Sequence, residues 1–394
     1  MENLRPDSGL LDLAIIGGGP AGTAAALEAR RHGLRVAIWE RDRFPRDKVC
    51  GEFISSEALP WLQTAIPATA ARGKVIPSAE FISDRGSARG FRLPAPALGL
   101  SRRSLDAALW KAAAAAGADT QEGECVRGVR KLLHGRKQEN MWEIESAGGS
   151  VRRARALIVA CGRWWAIEGL SSPACRGASA KAGDGVGAKA HFAGIPPRGS
   201  VEMYFFRGGY CGLAPVEDDR YNVCCLARRE RVCESGAKVT GDFAGWLAQI
   251  SRLPALEKRL RGAAQVSPAV TTAPVHLAQG QATQNGALMA GDASGFLDPF
   301  TGEGISMALH SGRLAAQAVS QSLSEGFGGE RAAEVYRHNL ARAVQRSYKF
   351  AAMARALIQG PAWVQGLVTV PLPWIGKRLL REARWRGTRE VKLS

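Results

Sequence analysis

The sequence predicts an α/β fold, and three observations indicate it. An apolar run at Leu11–Ile16 leads into a glycine-rich turn and an Ala-rich helix. A second strand–glycine–helix segment lies at residues 288–318, and residues 177–275 alternate in polarity as strands do. Together these patterns predict a Rossmann-type nucleotide-binding domain, an inserted antiparallel β-sheet domain and a C-terminal helical region. The 394 residues are enough for both domains.

The first glycine cluster has the spacing of a dinucleotide-binding turn. Gly17, Gly19 and Gly22 permit a tight turn, close approach of a pyrophosphate, and close packing of helix on strand. The helix N-terminus offers free N–H groups to the phosphates. The second strand, LRVAIWE, ends in Glu40, where a carboxylate accepts hydrogen bonds from a ribose diol. The turn therefore predicts a bound dinucleotide, and Glu40 disfavours the 2′-phosphate of NADP.

The later segment narrows the choice of dinucleotide. LMAGDASGFLDPFTGEGIS contains Gly291-Asp292 after a strand and Gly302-Glu303-Gly304-Ile305 before a long helix. It resembles the second FAD fingerprint of the p-hydroxybenzoate hydroxylase and geranylgeranyl reductase-like superfamily, whose members include the class A flavin monooxygenases. The resemblance implies that Asp292 binds the ribityl chain. It also implies that the helix start faces the flavin N1–C2=O edge and favours the anionic reduced form.

A third motif, Arg102-x-x-Leu105-Asp106, resembles the family's arginine that meets the FAD phosphates, although Arg103 offers the same charge. Val126 matches the family position whose backbone contacts adenine. The resemblance thus implies FAD contacts at Gly17, Gly19, Ala21, Gly22, Glu40, Arg41, Cys50, Gly51, Arg102, Val126, Asp292, Gly302, Gly304 and Ile305.

The chain departs from the family in its middle motif. The strand ALIVA is followed by Cys161-Gly162, where relatives have Asp-Gly. That region carries FAD and pyridine-nucleotide contacts in the family. NAD(P)H is the expected electron donor, and a separate flavin reductase is the alternative.

The stretch RDKVCGEFIS places Lys48, Cys50 and Gly51 just after the second strand. A zinc site, a redox cysteine, a buried structural cysteine and a flavin-edge loop would each put a cysteine here. None of the eight cysteines forms a CxxC pair, so no metal is expected. Reactivity requires a lowered thiol pKa. The resemblance favours a flavin-edge loop. Geranylgeranyl reductase-like proteins carry Lys-x-Cys-Gly at this point, and many bacterial hydroxylase-like relatives read much like K-V-C-G-E-F.

The strand-rich region is expected to cover the reactive face of the flavin. Tyr210, in GGYCGLAP, and its neighbours Tyr204, Phe205 and Phe206 are candidates to line a substrate cavity. Alternation sends only about half of a strand's side chains there, and core packing is the favoured role for each of them. Cys50, Tyr210 and Pro299 are the candidate catalytic residues. His191, His276 and His310 are expected to be core or surface histidines, with an acid–base role as the alternative.

The order of these segments gives the expected domain boundaries. The FAD-binding domain is predicted in three parts, at residues 1–78, 99–176 and 276–328. The substrate sheet is predicted in two parts, at residues 79–98 and 177–275. The C-terminal helices are predicted at residues 329–394.

A net charge of +17 suits nucleic acid or anionic lipid, but the basic residues are spread along the chain and no nucleic-acid motif appears. No secretory signal or spanning segment is predicted, so a cytoplasmic protein is expected. The tail beyond Pro361 combines Trp363 and Trp374 with Lys and Arg. This pattern predicts peripheral contact with an anionic membrane, and a helix pair closing a substrate tunnel is the alternative.

The favoured function is FAD-dependent hydroxylation of a hydrophobic aromatic secondary metabolite, phenolic or polyketide-like, through a flavin C4a-hydroperoxide. The leading alternative is an ene-reductase of an isoprenoid chain. Halogenation is disfavoured because Trp164-Trp165 does not meet the WxWxIP spacing. A flavoprotein without turnover is the remaining alternative.

Overall fold

A computed structural model of the chain describes residues 9–134, 139–163, 165–171, 184–236, 242–275, 280–295 and 302–343. The strands are β1 (Leu11–Ile16), β2 (Val36–Glu40), β3 (Phe53–Ile54), β4 (Lys74–Ile82), β5 (Ala88–Gly99), β6 (Asp119–Glu122), β7 (Val126–His134), β8 (Glu139–Ser146), β9 (Val151–Val159), β10 (Gly185–Ala193), β11 (Ser200–Phe206), β12 (Gly209–Val216), β13 (Arg220–Arg228), β14 (Ala264–Gln265), β15 (Val270–Val275), β16 (Thr283–Gln284) and β17 (Ala287–Met289). The helices are α1 (Pro20–Arg31), α2 (Leu59–Ala65), α3 (Pro67–Arg72), α4 (Arg102–Ala115), α5 (Arg229–Ser235), α6 (Phe243–Ser251), α7 (Pro254–Leu260) and α8 (Gly304–Ser324), and residues 329–343 are also helical.

The first sheet is the predicted nucleotide-binding sheet. Its strands run in the order β16-β17-β9-β1-β2-β6, and the neighbours from β17 to β6 are parallel. Successive residues of β1 enter different cores. Leu13 and Ile15 pack with α1, α8 and the 329–343 helix, while Ala14 and Ile16 pack with the β7–β8 hairpin. A strand buried on both faces needs the continuous apolar run that the sequence shows.

Helices α1 and α8 pack unusually closely because a glycine lies at their crossing. A Cβ added at Gly312 would lie 2.0 Å from the carbonyl oxygen of Ala21. Only a residue without a side chain allows this approach. The long helix of the second fingerprint is thereby held against the first turn of the first one.

The second sheet runs in the order β14-β10-β13-β12-β11-β4-β5-β3, with β15 pairing on β10. Its outer face packs against α6 and α7 through Phe243, Trp246 and Leu256. Its inner face packs against Phe53, which lies just beyond the loop at residues 46–52. The sheet therefore forms a cover over that loop.

The predicted fold class is confirmed, with two differences in detail. The sheet was expected to be antiparallel, but β4 and β11 pair in parallel, because β4 joins it from the first domain. The earlier strand pair also extends beyond the expected 79–98 segment, since β4 begins at Lys74 and β5 ends at Gly99. No helix in the described part of the chain is both long enough and apolar enough to cross a membrane.

Candidate functional site

The glycine turn after β1 has the geometry of a phosphate site. Gly17 has a φ of 108°, and a Cβ there would lie 2.4 Å from the Ala160 carbonyl oxygen. A Cβ at Gly22 would lie 1.8 Å from the carbonyl oxygen of Gly17. Gly19 differs, because its Cβ would meet only the guanidinium of Arg102, at 3.9 Å. Gly19 is also the N-cap of α1 and provides no side-chain cap. The positive helix start is therefore open to an anionic ligand.

Glu40 lies at the end of β2 as predicted, and its carboxylate is bound within the chain. Oε2 accepts the backbone N–H of Gly18 at 2.8 Å, and Oε1 accepts that of Asp42 at 3.0 Å. Arg46, which sequence reasoning missed, contacts both oxygens at 2.6 and 3.0 Å. A ribose diol would share Glu40 with Arg46, so ribose binding by Glu40 stays a prediction.

Of the two candidate phosphate arginines, Arg102 faces the glycine turn. Its Nε and one terminal nitrogen each donate to Asp106 at 2.7 Å, which makes a bidentate pair. Burial alone would lower the pKa of Arg102, but Asp106 outweighs it and the pKa is raised. Arg103 is half exposed and pairs with Asp47 at 3.5 Å. The Arg-x-x-Leu-Asp spacing thus orients Arg102 and leaves Arg103 at the surface.

The predicted flavin-end residues surround the start of α8. Asp292 follows β17 and lies 3.9 Å from Arg163. A Cβ at Gly302 would meet the Phe53 ring at 2.8 Å, whereas one at Gly304 would meet nothing within 4 Å. The N-cap of α8, Glu303, makes no side-chain cap. A second open helix start therefore lies beside the loop that carries Phe53.

The remaining predicted cofactor residues are placed as follows. Ala21 lies in the first turn of α1 and Ile305 in that of α8, and both are buried. Val126 is buried at the start of β7. Arg41 is largely exposed and lies 3.8 Å from Asp42. Their contacts with a cofactor stay predictions.

Cys161, the departure from the family motif, is a structural thiol. It donates to the Ile16 carbonyl oxygen at 3.2 Å, and burial raises its pKa. The thiol thus helps to tie the end of β9 to the end of β1. Trp165, considered for a halogenase motif, packs in the core between the first sheet and the β7–β8 hairpin.

The loop at residues 46–52 lies between the glycine turn and the second sheet. The Cys50 carbonyl accepts from the Asn222 side chain at 2.9 Å, and a Cβ at Gly187 would lie 3.1 Å from Val49. Burial raises the pKa of the Cys50 thiol, so it stays protonated, as expected for a loop residue and not for a nucleophile. Gly51 has open space in front of it, with no atom within 4 Å of an added Cβ.

Sequence reasoning missed a buried charged cluster at this loop, formed by Asp47, Glu52, Lys189 and His191. His191 Nε2 lies 2.6 Å from Glu52 Oε2, and Lys189 forms an ion pair with Glu52. Asp47 Oδ1 lies 3.4 Å from Lys189 Nζ and 3.9 Å from His191 Nδ1. Burial alone would raise the pKa of Glu52, but Lys189 and His191 outweigh it and the pKa is lowered.

The cluster also bears on the expectation that no metal is bound. Ligand atoms of Asp47, Glu52 and His191 lie within 4.8 Å of one another, as in a metal site. However, the Lys189 ammonium already contacts both carboxylates and supplies the positive charge.

Glu52 has a φ of 55°, a left-handed conformation that costs roughly 1–2 kcal/mol for a residue with a side chain. The sequence signal was a lysine and a histidine at alternate positions of an otherwise small and apolar strand, GVGAKAHFA.

Strand register places the cluster and the aromatic candidates on one face of the sheet. Lys189 is opposite Cys224, and His191 is opposite Asn222, on the inner face. Tyr210 shares this face and lies 6.5 Å from the Phe205 ring, which in turn lies 5.6 Å from Phe81. The inner face is therefore charged at the β10 end and aromatic at the β11–β4 end.

Two of the aromatic candidates lie on the other face. Tyr204 and Phe206 are buried in the outer core with α6 and α7, which agrees with the favoured expectation of core packing and excludes them from the cavity. Alternation along β11 explains the difference, because Phe205 alone of the three points inward.

A cleft lies between α2 and the first turns of α8. Trp61 and Arg313 form one wall, with the guanidinium 5.7 Å from the ring centre. His310 lines the cleft, and burial, with Arg313 nearby, lowers its pKa to about 3. His310 is thus a neutral histidine, which agrees with the expected core role. Pro299, His276, Trp164 and the predicted membrane tail lie outside the described residues.

Known proteins are similar to this chain in sequence. Residues 11–167 match the family described as pyridine nucleotide-disulphide oxidoreductase. The chain is 28% identical to menaquinone reductase from Mycolicibacterium smegmatis, over 78% of this chain and 76% of that protein. It is 27% identical to digeranylgeranylglycerophospholipid reductase 2 from Methanothermobacter thermautotrophicus, over 86% of each. It is also 25% identical to conditioned medium factor receptor 1 from Dictyostelium discoideum, over 81% of this chain, but it spans only 65% of that protein.

Solved structures share the fold. A triple mutant of a flavin-dependent brominase superposes with a TM-score of 0.76 at 21% identity, covering 96% of this chain and 95% of that one. A geranylgeranyl bacteriochlorophyll reductase-like protein from Thermoplasma acidophilum superposes with a TM-score of 0.74 at 20% identity, covering 95% and 96%.

Fold, phosphate turn and relatives agree with one another. Residues 11–167 match a nucleotide-binding oxidoreductase family, and the chain shares its fold with a flavin-dependent brominase and a geranylgeranyl reductase-like protein. The resemblance inferred from the sequence is thereby confirmed. The residues present fit FAD, because two long helices begin without side-chain caps and the backbone at Gly19, Gly51 and Gly304 is open to close approach.

Proposed function

We propose that the protein reduces a carbon–carbon double bond in a prenyl lipid, using FAD. One observation carries the proposal. The Lys48-x-Cys50-Gly51 element resembles that of geranylgeranyl reductases. It lies in the loop at residues 46–52, against the inner face of the second sheet. The residues just after this loop contact the start of α8. Similar proteins named for reduction of menaquinone and of digeranylgeranylglycerophospholipid support the same chemistry.

The residues of the chain would divide the work in the following way. The glycine turn and Arg102 would hold the pyrophosphate, and the open α8 start would stabilise negative charge on the reduced ring. FAD bound there supplies the hydride. The inner-face aromatics Phe81, Phe205 and Tyr210 would bind the apolar chain and exclude water.

Neutral Cys50 fits a wall of this site. Its thiol accepts the Glu52 backbone N–H at 3.4 Å and is held protonated by burial. It therefore shapes the loop and performs no nucleophilic step.

The electron donor belongs to the proposal as well. We take NAD(P)H as the donor, delivered directly or through a separate reductase. Relatives have an acidic residue at the position of Cys161, in a region that carries pyridine-nucleotide contacts. Here the Cys161 thiol donates to the Ile16 carbonyl oxygen instead, which favours the separate reductase.

Hydroxylation of an aromatic compound is the second candidate. The cluster of Phe81, Phe205 and Tyr210 favours it, since an aromatic ring stacks well on such a surface.

The test is incubation of FAD-loaded protein with a polyprenyl lipid or a small phenol under air, with reductant, followed by mass spectrometry. Reduction adds two hydrogens to the lipid, whereas hydroxylation adds one oxygen atom to the phenol. Oxygen insertion without lipid reduction would contradict the first candidate.

A further inference from the structure

The charged cluster of Asp47, Glu52, Lys189 and His191 is expensive to bury. The side chains of Glu52, Lys189 and His191 are 0%, 1% and 6% exposed, and that of Asp47 is 16% exposed. Buried ion pairs rarely stabilise a fold more than apolar residues of the same size would. Glu52 adds a left-handed backbone conformation. Strain and buried charge that coincide in one loop beside a cofactor site point to a role beyond holding two elements together.

The position of His191 in the cluster shows which side chain can pass a proton. Asp47 and Glu52 contribute two negative charges, which Lys189 and Arg103 balance. Arg102 is committed to Asp106 by its bidentate pair. His191 has a ring nitrogen toward each carboxylate, Nε2 toward Glu52 and Nδ1 toward Asp47. It can therefore take up a proton on one side and release one on the other.

The groups also form a line from the surface inward. Asp47 contacts the exposed Arg103 at 3.5 Å and lies 3.9 Å from His191 Nδ1. That separation is longer than a hydrogen bond, so a proton would cross it through a bridging water. The other ring nitrogen, Nε2, contacts Glu52 at 2.6 Å. Glu52 adjoins Gly51, whose backbone faces open space. The line therefore ends at the flavin-edge loop.

We propose that Asp47, His191 and Glu52 form a proton relay between solvent and the flavin-edge loop, with Lys189 as the positioning residue that holds both carboxylates. The relay rests on the proposed function, because saturation of a double bond consumes one hydride and one proton. Bound reduced FAD would supply the hydride of the first C–H bond. The proton of the second C–H bond would come from the Glu52 carboxyl. Glu52 would take in its place the Nε2 proton of His191, whose electron pair stays on nitrogen, and water would return a proton to His191 through Asp47.

Charged and titratable groups from four elements pack around His191. The charged and titratable groups packed there are Asp47, Cys50 and Glu52 from the loop, Lys189 from β10, Cys224 from β13, and Arg102 and Arg103 from α4. Burial raises the pKa of Cys50, and that of Cys224 to about 12, so both stay neutral thiols. The neighbouring Asn222 and Ser267 do not titrate.

The test measures the reduction potential of the bound FAD against pH, and it needs no substrate. Because the relay would couple proton uptake to reduction of the flavin, the wild-type potential should fall more steeply with pH than the potential of His191→Asn. This variant keeps a polar side chain but carries no exchangeable proton. With a prenyl lipid, the same variant should lower turnover by about 100-fold and change the solvent deuterium isotope effect.

Glu202→Gln is the matched control. Glu202 is a fully buried carboxylate in the same sheet, on the outer face, paired with Arg259 at 2.7 Å. It should lower the melting temperature and leave the potential plot unchanged. Should His191→Asn fail to bind FAD, Asp47→Asn at the partly exposed end provides the same comparison.

The plots of reduction potential against pH could be identical for wild type and the relay variants, with only a loss of stability in the variants. That result would show that the cluster only stabilises the fold, and it would overturn the relay. A wild type that reduces no prenyl lipid, but whose potential falls more steeply with pH than that of His191→Asn, would contradict the proposed function and leave the relay standing.

Discussion

Gly19 and Gly22 lie in the same turn but serve different purposes. An added Cβ at Gly22 collides with backbone, whereas one at Gly19 meets only a flexible guanidinium. Gly22 is thus required by the fold, and Gly19 is required only by a ligand that approaches the backbone. This difference allows cofactor binding to be removed without unfolding the chain.

We expect Gly19→Val to weaken FAD binding by at least about tenfold, or 1.4 kcal/mol. The backbone at Gly19 is extended, at φ −75° and ψ −174°, which suits valine. The apo protein should keep its melting temperature within a few degrees. Titration with FAD, followed by flavin fluorescence, measures the first quantity, and thermal unfolding of the apo protein measures the second. Unchanged FAD affinity would mean that the pyrophosphate does not approach this turn.

His310 makes the stability of the fold depend on pH. Its pKa is 6.5 when unfolded and about 3 in the fold, where burial and then Arg313 disfavour the charged form. Below pH 6.5 the unfolded chain takes up a proton that the folded chain does not. Stability is therefore present above that pH and is lost as the pH falls toward 3.

We expect His310→Gln to remove about 2–3 kcal/mol of the difference in unfolding free energy between pH 7 and pH 4.5. Urea denaturation at the two pH values measures it. His338→Gln is the control, since His338 is exposed on the 329–343 helix. An equal pH effect in wild type and His310→Gln would show that His310 protonates in the fold.

At the scale of elements, the contact between α1 and α8 joins the two FAD fingerprints. Ser311, in α8, also accepts the backbone N–H of Gly291 at 2.9 Å, which ties the second fingerprint to its own helix. Close packing here sets where the open start of α8 lies relative to the glycine turn.

We expect Gly312→Ala to destabilise the protein by about 1–3 kcal/mol, because the new methyl group would lie 2.0 Å from the Ala21 carbonyl oxygen. FAD binding should weaken as well, since the helices must move apart. Gly328→Ala is a suitable control, with no atom within 4 Å of its Cβ. Equal melting temperatures for the two variants would contradict the close crossing.

The elements and the phosphate turn could be predicted because their signals are local. The β1 run, the glycine spacing and Arg102-x-x-Leu105-Asp106 each lie within one short segment. The charged cluster could not be predicted, because Glu52 and His191 are 139 residues apart. Nor does alternation alone tell which face of β11 is inward, and so the sequence could not say which of Tyr204, Phe205 and Phe206 faces the cavity.

At the scale of the whole molecule, the second sheet separates two environments. Its outer face is an apolar core with α6 and α7, and its inner face carries charge at one end and aromatic rings at the other. The loop at residues 46–52 lies beneath the charged end. A site of this kind can hold an apolar substrate on the aromatic end while the charged end handles protons.

The most direct test of the central claim is an anaerobic single turnover. Dithionite-reduced, FAD-loaded protein is mixed with digeranylgeranylglycerophospholipid in detergent micelles, and the lipid is analysed by mass spectrometry. We expect flavin oxidation to accompany the gain of two hydrogens per lipid molecule, with one of them derived from deuterated solvent. A flavin that stays reduced with the lipid, and is oxidised only when air and a phenol are added with transfer of oxygen to the phenol, would contradict the claim.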